Sequence, residues 1–419
     1  MDNPIPENLC FLPWTGFSND PDGKVRPCCI FNEYIKNEDG NHYYVQTATM
    51  DEIFNSTYMK NLRQDFRENK RPHQCNTCWK DEAVNRDSKR LIYNNNVFQS
   101  YDTGVNWTDE PDLPQEYQMI ISNSCNLKCR SCSPSHSSQW GKEYEKFHNR
   151  TSYEMPHGQA ADKKGLLWKN RKEWYPHLRR LEVVGGEPMY IKKWHVIFDE
   201  LIEGGYAKDI VLDMSTNANI IMVDKIEYWA KHFKRVGMGL SIDGTGEVYD
   251  YMRSGGDWDT VYENLKEYHK LADIRNFHPQ ISFTLSWLNA LELPKIHKLV
   301  DDEFPKFKIW NNLVHSPEWM SLRYAPEEIK NHIRDDWDKR DWGQYTGDIE
   351  GFKNFMNMPS ADEKTFEYFM AKSTGLDIMR GENILDVLPE YEPYLLPYMV
   401  YDEGPYEYSN RIPIIEIGS

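Results

Sequence analysis

The chain has 419 residues and eight cysteines, at positions 10, 28, 29, 75, 78, 125, 129 and 132, with none beyond Cys132. Thiols clustered in this way point to bound metal. Four disulfides are the arithmetic alternative, but a large acidic chain without an export signal predicts a reducing compartment, where clustered cysteines more often bind metal. The tightest group is SNSCNLKCRSC, in which Cys125, Cys129 and Cys132 follow C-x3-C-x2-C and His136 is the one local candidate for a fourth ligand. Structural zinc takes four ligands, usually from two paired knuckles. Three thiolates in one short loop fit better to an iron–sulfur cluster with one iron left open for chemistry.

Motifs at regular intervals follow this loop: RLEVVGGEP (Gly185, Gly186, Glu187), IVLDMSTNAN (Ser215, Thr216, Asn217), VGMGLSIDG (Ser241, Asp243), YMRSGG (Arg253) and QISFTLSWLNA (Asn289). Apolar runs ending in polar or glycine residues are the pattern of βα units whose strands are buried and whose C-terminal ends face a ligand. Glycines let backbone approach a ligand closely, a carboxylate accepts from an ammonium, and an arginine fork matches a carboxylate. Singly, each has a plainer reading: GGE as a turn, SID as a strand end, Arg253 as half of a surface ion pair. Their order gives them weight. Together the motifs resemble the radical SAM superfamily, whose cubane cluster is held by three cysteines at this spacing just after the first barrel strand.

The resemblance implies a 4Fe–4S cluster on Cys125, Cys129 and Cys132 as the catalytic centre, with S-adenosylmethionine beside it. Gly185, Gly186 and Glu187 would meet the cofactor's amino group, Thr216, Asn217, Ser241 and Asp243 its ribose hydroxyls, Arg253 its carboxylate, and Asn289 the adenosine. One departure is Ser131, where the family often has an aromatic before the third cysteine, so adenine packing is expected from elsewhere.

Cys10, Gly23 and Cys28 follow C-x12-G-x4-C, and Cys75 and Cys78 follow in HQCNTCW. This resembles the opening of the SPASM and twitch modules that carry auxiliary iron–sulfur clusters. Between the halves, residues 49–66 place Met50, Ile53, Phe54, Met59 and Leu62 at the spacing of a short helix or helix pair. Five cysteines permit a single auxiliary 4Fe–4S cluster, the twitch form. Adjacent side chains of an extended segment point oppositely, so Cys28 and Cys29 are not expected to share it. The expected ligands are Cys10, Cys28, Cys75 and Cys78, with Cys29 a small buried hydrophobe. A zinc ribbon is the plainer alternative for this group. In the family the module mostly follows the barrel, whereas here it comes first.

The elements that must position these residues predict an α/β fold: a partial (β/α)6 TIM-like barrel, an N-terminal cysteine-rich α+β module and a helical C-terminal extension. The expected divisions are residues 1–110 for the module, 111–315 for the barrel and 316–419 for a capping or substrate region that ends in an aromatic, proline-rich tail. Strands are expected at 119–122, 181–184, 210–214, 237–242, 281–287 and 307–310, alternating with helical stretches. A basic, aromatic stretch at 163–180 reads as a solvated amphipathic helix. The net charge of −17 repels a phosphate backbone, so nucleic acid is not an expected partner. No apolar run approaches the ~20 residues of a membrane span, and a cytoplasmic location is expected.

The resemblance further implies reductive cleavage of S-adenosylmethionine to a 5′-deoxyadenosyl radical that abstracts hydrogen from a substrate, with an auxiliary cluster aiding oxidation. The expected substrate is a peptide or protein side chain, and the electron donor a protein such as flavodoxin or ferredoxin. A dehydrogenase or rearrangement enzyme acting on a small metabolite is the second reading. A non-catalytic electron-transfer or zinc protein is the third.

Overall fold

A computed structural model describes residues 4–83, 86–97, 104–148, 159–314, 320–359 and 364–399. Its centre is a single sheet with strand order β2–β1–β3–β4–β5–β6–β7–β8. The strands are β1 Gly16–Asn19, β2 Val25–Arg26, β3 Glu116–Met119, β4 Arg180–Val183, β5 Val211–Thr216, β6 Arg235–Ser241, β7 Phe277–Leu285 and β8 Lys308–Leu313. From β3 to β8 every pairing is parallel, which gives the six-stranded α/β arc the sequence predicts. The N-terminal residues add two strands that the sequence did not reveal. Strand β1 lies parallel to β3, and β2 returns antiparallel to β1.

Helices of seven or more residues are α1 Thr57–Arg67, α2 Asn76–Ala83, α3 Ser138–His148, α4 Lys192–Glu203, α5 Val223–His232, α6 Gly246–Met252, α7 Trp258–Leu271, α8 Leu293–Glu303, α9 Glu327–Trp337, α10 Thr346–Met356 and α11 Lys364–Arg380. The 49–66 stretch is indeed a helix pair, Met50–Phe54 followed by α1. Thr49 and Glu52 form a capping box on the first, and the Ser56 hydroxyl accepts from the Met59 amide on the second. Residues 163–180, by contrast, do not form one helix. They break into Leu166–Lys169, Arg171–Trp174 and a 3-10 turn at Tyr175–His177, because Pro176 cannot continue a helix and β4 starts at Arg180.

The strands alternate rather than burying both faces. Leu181, Val183, Leu212, Met214, Ile281, Phe283 and Leu285 are buried in the common core with the helices, while Glu182, Asp213, Ser215, Gln280, Ser282 and Thr284 line the other face half-exposed. A period of two sorts them, so one face of the arc is apolar and helix-covered and the inner face is polar. Strand β3 ends at Met119, earlier than predicted, because Ile120 leaves the ladder to begin the cysteine loop. Strand β7 ends at Leu285, since Ser286 caps a 3-10 turn in which the Asn289 side chain accepts from its amide at 2.8 Å.

The C-terminal region packs on this same turn. Trp337 of α9 donates to the Ala290 carbonyl at 2.9 Å, Tyr391 donates to the Trp287 carbonyl at 3.0 Å, and Phe369 of α11 stands edge-on to Trp287. The aromatic tail beyond residue 399 lies outside the described residues. Among those described, no helix is long and apolar enough to cross a membrane.

Strand β3 is internal only because β1 covers one edge. Removing residues 1–110 would leave it as an unprotected parallel edge above a hydrophobic face. A chain of residues 111–419 is expected to elute as aggregate in size-exclusion chromatography under conditions where the full chain does not. A folded, monodisperse 111–419 fragment would show that the β1 pairing is dispensable.

Candidate functional site at the strand ends

The loop that leaves β3 carries Cys125, Cys129 and Cys132, and backbone bonds to two neighbouring segments hold it. Glu187 donates its amide to the Ser124 carbonyl at 2.8 Å, Arg130 to that of Met252 at 2.9 Å, and Lys128 to that of Ser254 at 3.0 Å. Trp140 of α3 adds an indole bond to the Cys129 carbonyl at 2.7 Å. Gly186 must be glycine: its φ is +59°, and a Cβ there would stand 2.5 Å from the Ser124 carbonyl oxygen. The three thiols lie within one another's fields. Burial pushes Cys125 up to about 11 and Cys132 up to about 12, with neighbouring thiols adding to the rise. Cys129 is also raised by burial, against the pull of Arg253, whose Nη1 stands 3.8 Å from the sulfur.

The predicted cofactor residues gather round this loop in a buried network. Glu187 is fully buried; its Oε1 accepts from the Thr216 hydroxyl at 2.7 Å and the Met189 amide at 3.0 Å, and its Oε2 from the Asn217 amide at 2.8 Å. Burial raises its carboxyl and these three donors oppose the rise. Asn217 also donates to Asn126 of the cysteine loop at 2.8 Å. Asp243 pairs with Arg253 at 2.7 Å and accepts from the Thr284 amide at 3.0 Å. Ser241 ends β6 on the polar face, beside Ser282 of β7. Asn289 is placed differently from the expectation. It lies beyond β7, is fully buried, and spends its amide on the Asp243 and Thr284 carbonyls and on Ser286, so it shapes the loop.

Cys10, Cys28, Cys75 and Cys78 come together from three parts of the N-terminal region. The thiol of Cys10 is raised by burial and by the fields of the other three, and Cys28 is pushed up to about 12 by burial and the neighbouring Cys29. Among the described residues no three His, Cys, Asp or Glu side chains close round a point that would hold a single ion. At Cys125, Cys129 and Cys132 the donor set is three thiols, with an arginine whose buried Nε lacks a partner alongside, which fits a cluster together with a carboxylate-bearing cofactor.

Sequence reasoning missed several residues here. Cys29 is not an apolar filler: Lys89 donates to its sulfur at 2.9 Å. Burial opposes the Lys89 ammonium, but Cys29, Glu182 and Cys28 outweigh that and raise it. Lys89 and Cys28 line one cavity with Gly16, Glu116, Arg180 and Glu182, at the N-terminal ends of the strands. Along that edge Arg180 stands 3.6 Å from Glu116 and 2.8 Å from Asp213, which Arg235 meets at 3.0 Å. Gly237 makes room for the Asp213 carboxylate, since a Cβ would lie 2.1 Å from its Oδ1. A lone lysine or arginine carries no motif, so only the sheet order brings these charges together.

Residues 10–79 match the family model of an iron–sulfur cluster-binding domain, SPASM, and residues 119–278 match that of the radical SAM superfamily. No curated protein sequence matches the chain. Among solved structures it is similar to anSMEcpe with bound AdoMet, at 19% identity over 63% of each chain with a TM-score of 0.39. It is also similar to anSMEcpe with AdoMet and the Cp18Cys peptide, at 17% identity over 65% of this chain and 63% of that one, TM-score 0.35. Streptococcus suis SuiB bound to precursor peptide SuiA gives 14% identity over 68% of each chain, TM-score 0.32. The chain spans 63% of the length of the first of these structures. A radical SAM domain implies a 4Fe–4S cluster with S-adenosylmethionine, and a SPASM domain implies auxiliary iron–sulfur ligation.

Two measurements test this geometry. Arg253→Gln leaves Asp243 buried and unpaired, and is expected to lower the unfolding free energy by about 3–5 kcal/mol in denaturant titration. Adding Asp243→Asn should recover most of that loss, and failure to recover would break the pairing argument. Glu116 is pushed up to about 8 by burial, with Arg180 and Lys89 pulling the other way. Against an unfolded value of about 4.3, the folded state holds the extra proton, so this contribution is full at low pH and is lost as pH rises through about 8. Wild-type stability should therefore fall from pH 5 to pH 8 relative to Glu116→Gln.

Proposed function

From a chain that carries a radical SAM domain and, ahead of it, a SPASM iron–sulfur domain, we propose an enzyme that removes hydrogen from a peptide or protein side chain lying on the polar inner face of the sheet. The observation that carries this reading is the position of the two thiol groups. Cys125, Cys129 and Cys132 follow the C-terminal end of β3, while Cys28 and Lys89 flank the N-terminal ends of β1, β3 and β4. A four-residue strand puts roughly 13 Å between such ends, enough for one extended segment. Between them Gln118, Glu182, Ser215, Gln280 and Ser282 offer donors and acceptors suited to a peptide backbone. Among the described residues the sheet ends at β2 and β8 without closing, so a polymer can approach from the side.

In this reading residues 1–110 are the auxiliary module, 111–315 the radical domain and 316–419 the region that caps it. Cys125, Cys129 and Cys132 hold the first cluster, and Cys10, Cys28, Cys75 and Cys78 the auxiliary one. When bound, the first cluster and S-adenosylmethionine supply a 5′-deoxyadenosyl radical. The protein's part is positional. Arg253, fixed by Asp243, turns its free Nε and the Nη1 near Cys129 toward a carboxylate. Gly185 and Gly186 let their loop pack directly on Ile120 and Ser124 at the start of the cysteine loop, and Ser241 presents a hydroxyl at the end of β6. Glu187 has three of its acceptor sites filled by Thr216, Asn217 and Met189, which leaves one for an ammonium. Thr216 and Asn217 thus act through Glu187 and Asn126. At the other end Lys89 keeps a proton beside Cys29 and Glu182.

The test is anaerobic reconstitution, iron analysis and a dithionite-driven assay for 5′-deoxyadenosine, followed by incubation with a peptide library read by mass spectrometry. About eight irons per chain are expected for two cubanes, with 5′-deoxyadenosine formed and some peptides losing two hydrogens. Cys129→Ala should abolish 5′-deoxyadenosine, whereas Cys75→Ala should lose about half the iron and keep uncoupled cleavage. A fully loaded protein that forms no 5′-deoxyadenosine would refute the enzyme reading, and turnover with small metabolites alone would refute the peptide class.

A further inference from the structure

The C-terminal third carries no recognisable motif, yet its helix α11 reaches the three-cysteine loop. Arg130, between Cys129 and Cys132, bonds Asp377 at 2.5 Å and also pairs with Glu382. Its guanidinium lies 3.5 Å from the ring centre of Tyr251, and its side chain is 3% exposed. Arg380 donates to both oxygens of Glu143 on α3, to the Ser254 hydroxyl at 2.8 Å and to the Lys128 carbonyl at 3.1 Å, with its side chain 1% exposed. Lys128 pairs with Glu143 at 2.5 Å. Ser254, next to Arg253, donates in turn to Glu382 at 3.1 Å. The next turn of chain is tied in as well, where the Ile384 amide donates to Asp377 at 3.0 Å.

Resting on the assignment of a cluster to Cys125, Cys129 and Cys132, we infer that residues 377–382 form a positioning strap for the cysteine loop, and that its balanced charges set the reduction potential of the cluster held there. The loop contains neither helix nor strand, and within it the turn from Cys129 to Cys132 is closed by one backbone bond of 3.0 Å, so its placement depends on what packs against it. The strap holds it at Lys128 and Arg130, between the cysteines, and at the same time holds the turn that presents Arg253. Lys128, Arg130 and Arg380 face Glu143, Asp377 and Glu382, three cations against three carboxylates, in a setting where the two arginines are almost wholly buried. Buried charges of this kind are stable only as complete sets. Arg380 reaches the loop directly, through its bond to the carbonyl of Lys128, the residue before Cys129. Neutralising one member leaves the set with one charge in excess beside the loop. Removing the Arg380 charge leaves the set net negative, which disfavours adding an electron; removing the Glu143 charge leaves it net positive, which favours it. None of these residues touches the reacting atoms, so they act as positioning residues.

The test uses the full-length chain with Arg380→Gln, Glu143→Gln and the double variant. In a redox titration of the cluster followed by electron paramagnetic resonance, the two single variants are expected to shift the potential in opposite directions, Arg380→Gln downward and Glu143→Gln upward. Each should retain iron about 10- to 100-fold less well against a chelator. The double variant, neutral and nearly isosteric, should return toward wild type in both readings. Hydrogen exchange on the cluster-free chain should speed up at residues 126–132 in both single variants. Shifts of one sign, or a double variant no closer to wild type, would overturn the charge-balance role; unchanged exchange at 126–132 would overturn the strap. If wild type binds no cluster at Cys125, Cys129 and Cys132, the cluster assignment fails and the charge-balance role with it, while the exchange comparison still decides whether 377–382 holds the loop.

Discussion

The pairing of β1 with β3 is the constraint on which both thiol groups depend. Strand β3 is four residues long and feeds the cysteine loop directly, so any error in its register is passed to Cys125. A slip of one residue would turn Glu116 and Gln118 into the helix-packed core and Tyr117 and Met119 out of it. Both ends are fastened against that. At the start, Gln115 donates to the Thr15 carbonyl at 2.8 Å and accepts from Arg179 and Arg180, and the Thr15 hydroxyl meets that of Tyr93 at 2.6 Å. At the finish, Asn19 of β1 donates its side-chain amide to the Ile120 carbonyl at 2.8 Å. The auxiliary module therefore sets the register of the strand that launches the other cysteine loop.

Beyond β3 the strand ends are held by groups that would be costly if left unmade. Glu187 and Asp243 are carboxylates with almost no exposure, and each is surrounded by donors from neighbouring strand ends. Satisfied in this way, they convert a row of loops into a rigid edge; half-satisfied, they would be worse than apolar residues. The same bonds that stabilise the edge leave one acceptor site on Glu187 and one donor on Arg253 unfilled. Rigidity and binding capacity at this edge have a single physical origin.

What the sequence made legible was local. Cys125, Cys129 and Cys132 are separated by two and three residues, and each strand-end motif sits beside the strand that presents it, so spacing alone carried the information. Period-two alternation was masked in β6, where the inward positions are Gly237 and Gly239 and the strand looks apolar throughout. Contacts spanning long stretches of chain left no trace. The β1–β3 ladder joins residues about a hundred apart, Lys89 reaches Cys29 across sixty, and Arg130 meets Asp377 across 247. Cys29 was read as apolar because a cysteine without a ligand role usually is, and the ammonium that contradicts this arrives from the short helix Lys89–Ile92. Asn289 was placed on a strand end because the apolar run continues through Trp287, whereas Ser286 had already turned the chain.

The position of the cysteine module ahead of the radical domain has a physical account in this sheet. Parallel neighbours cannot be joined by a hairpin and need a crossover of a dozen residues or more. The chain from Asp20 to Gln115 is that crossover between β1 and β3, and it carries Cys28, Cys75, Cys78 and Lys89. A connection that topology requires in any case has been enlarged into the body that carries these thiols, and Cys10 lies just before β1. Because the crossover must leave from the C-terminal end of β1 and return to the N-terminal start of β3, its thiols can be brought to the edge opposite Cys125. The order of the two modules along the chain and the separation of their thiols across the sheet then follow from one rule of strand connection.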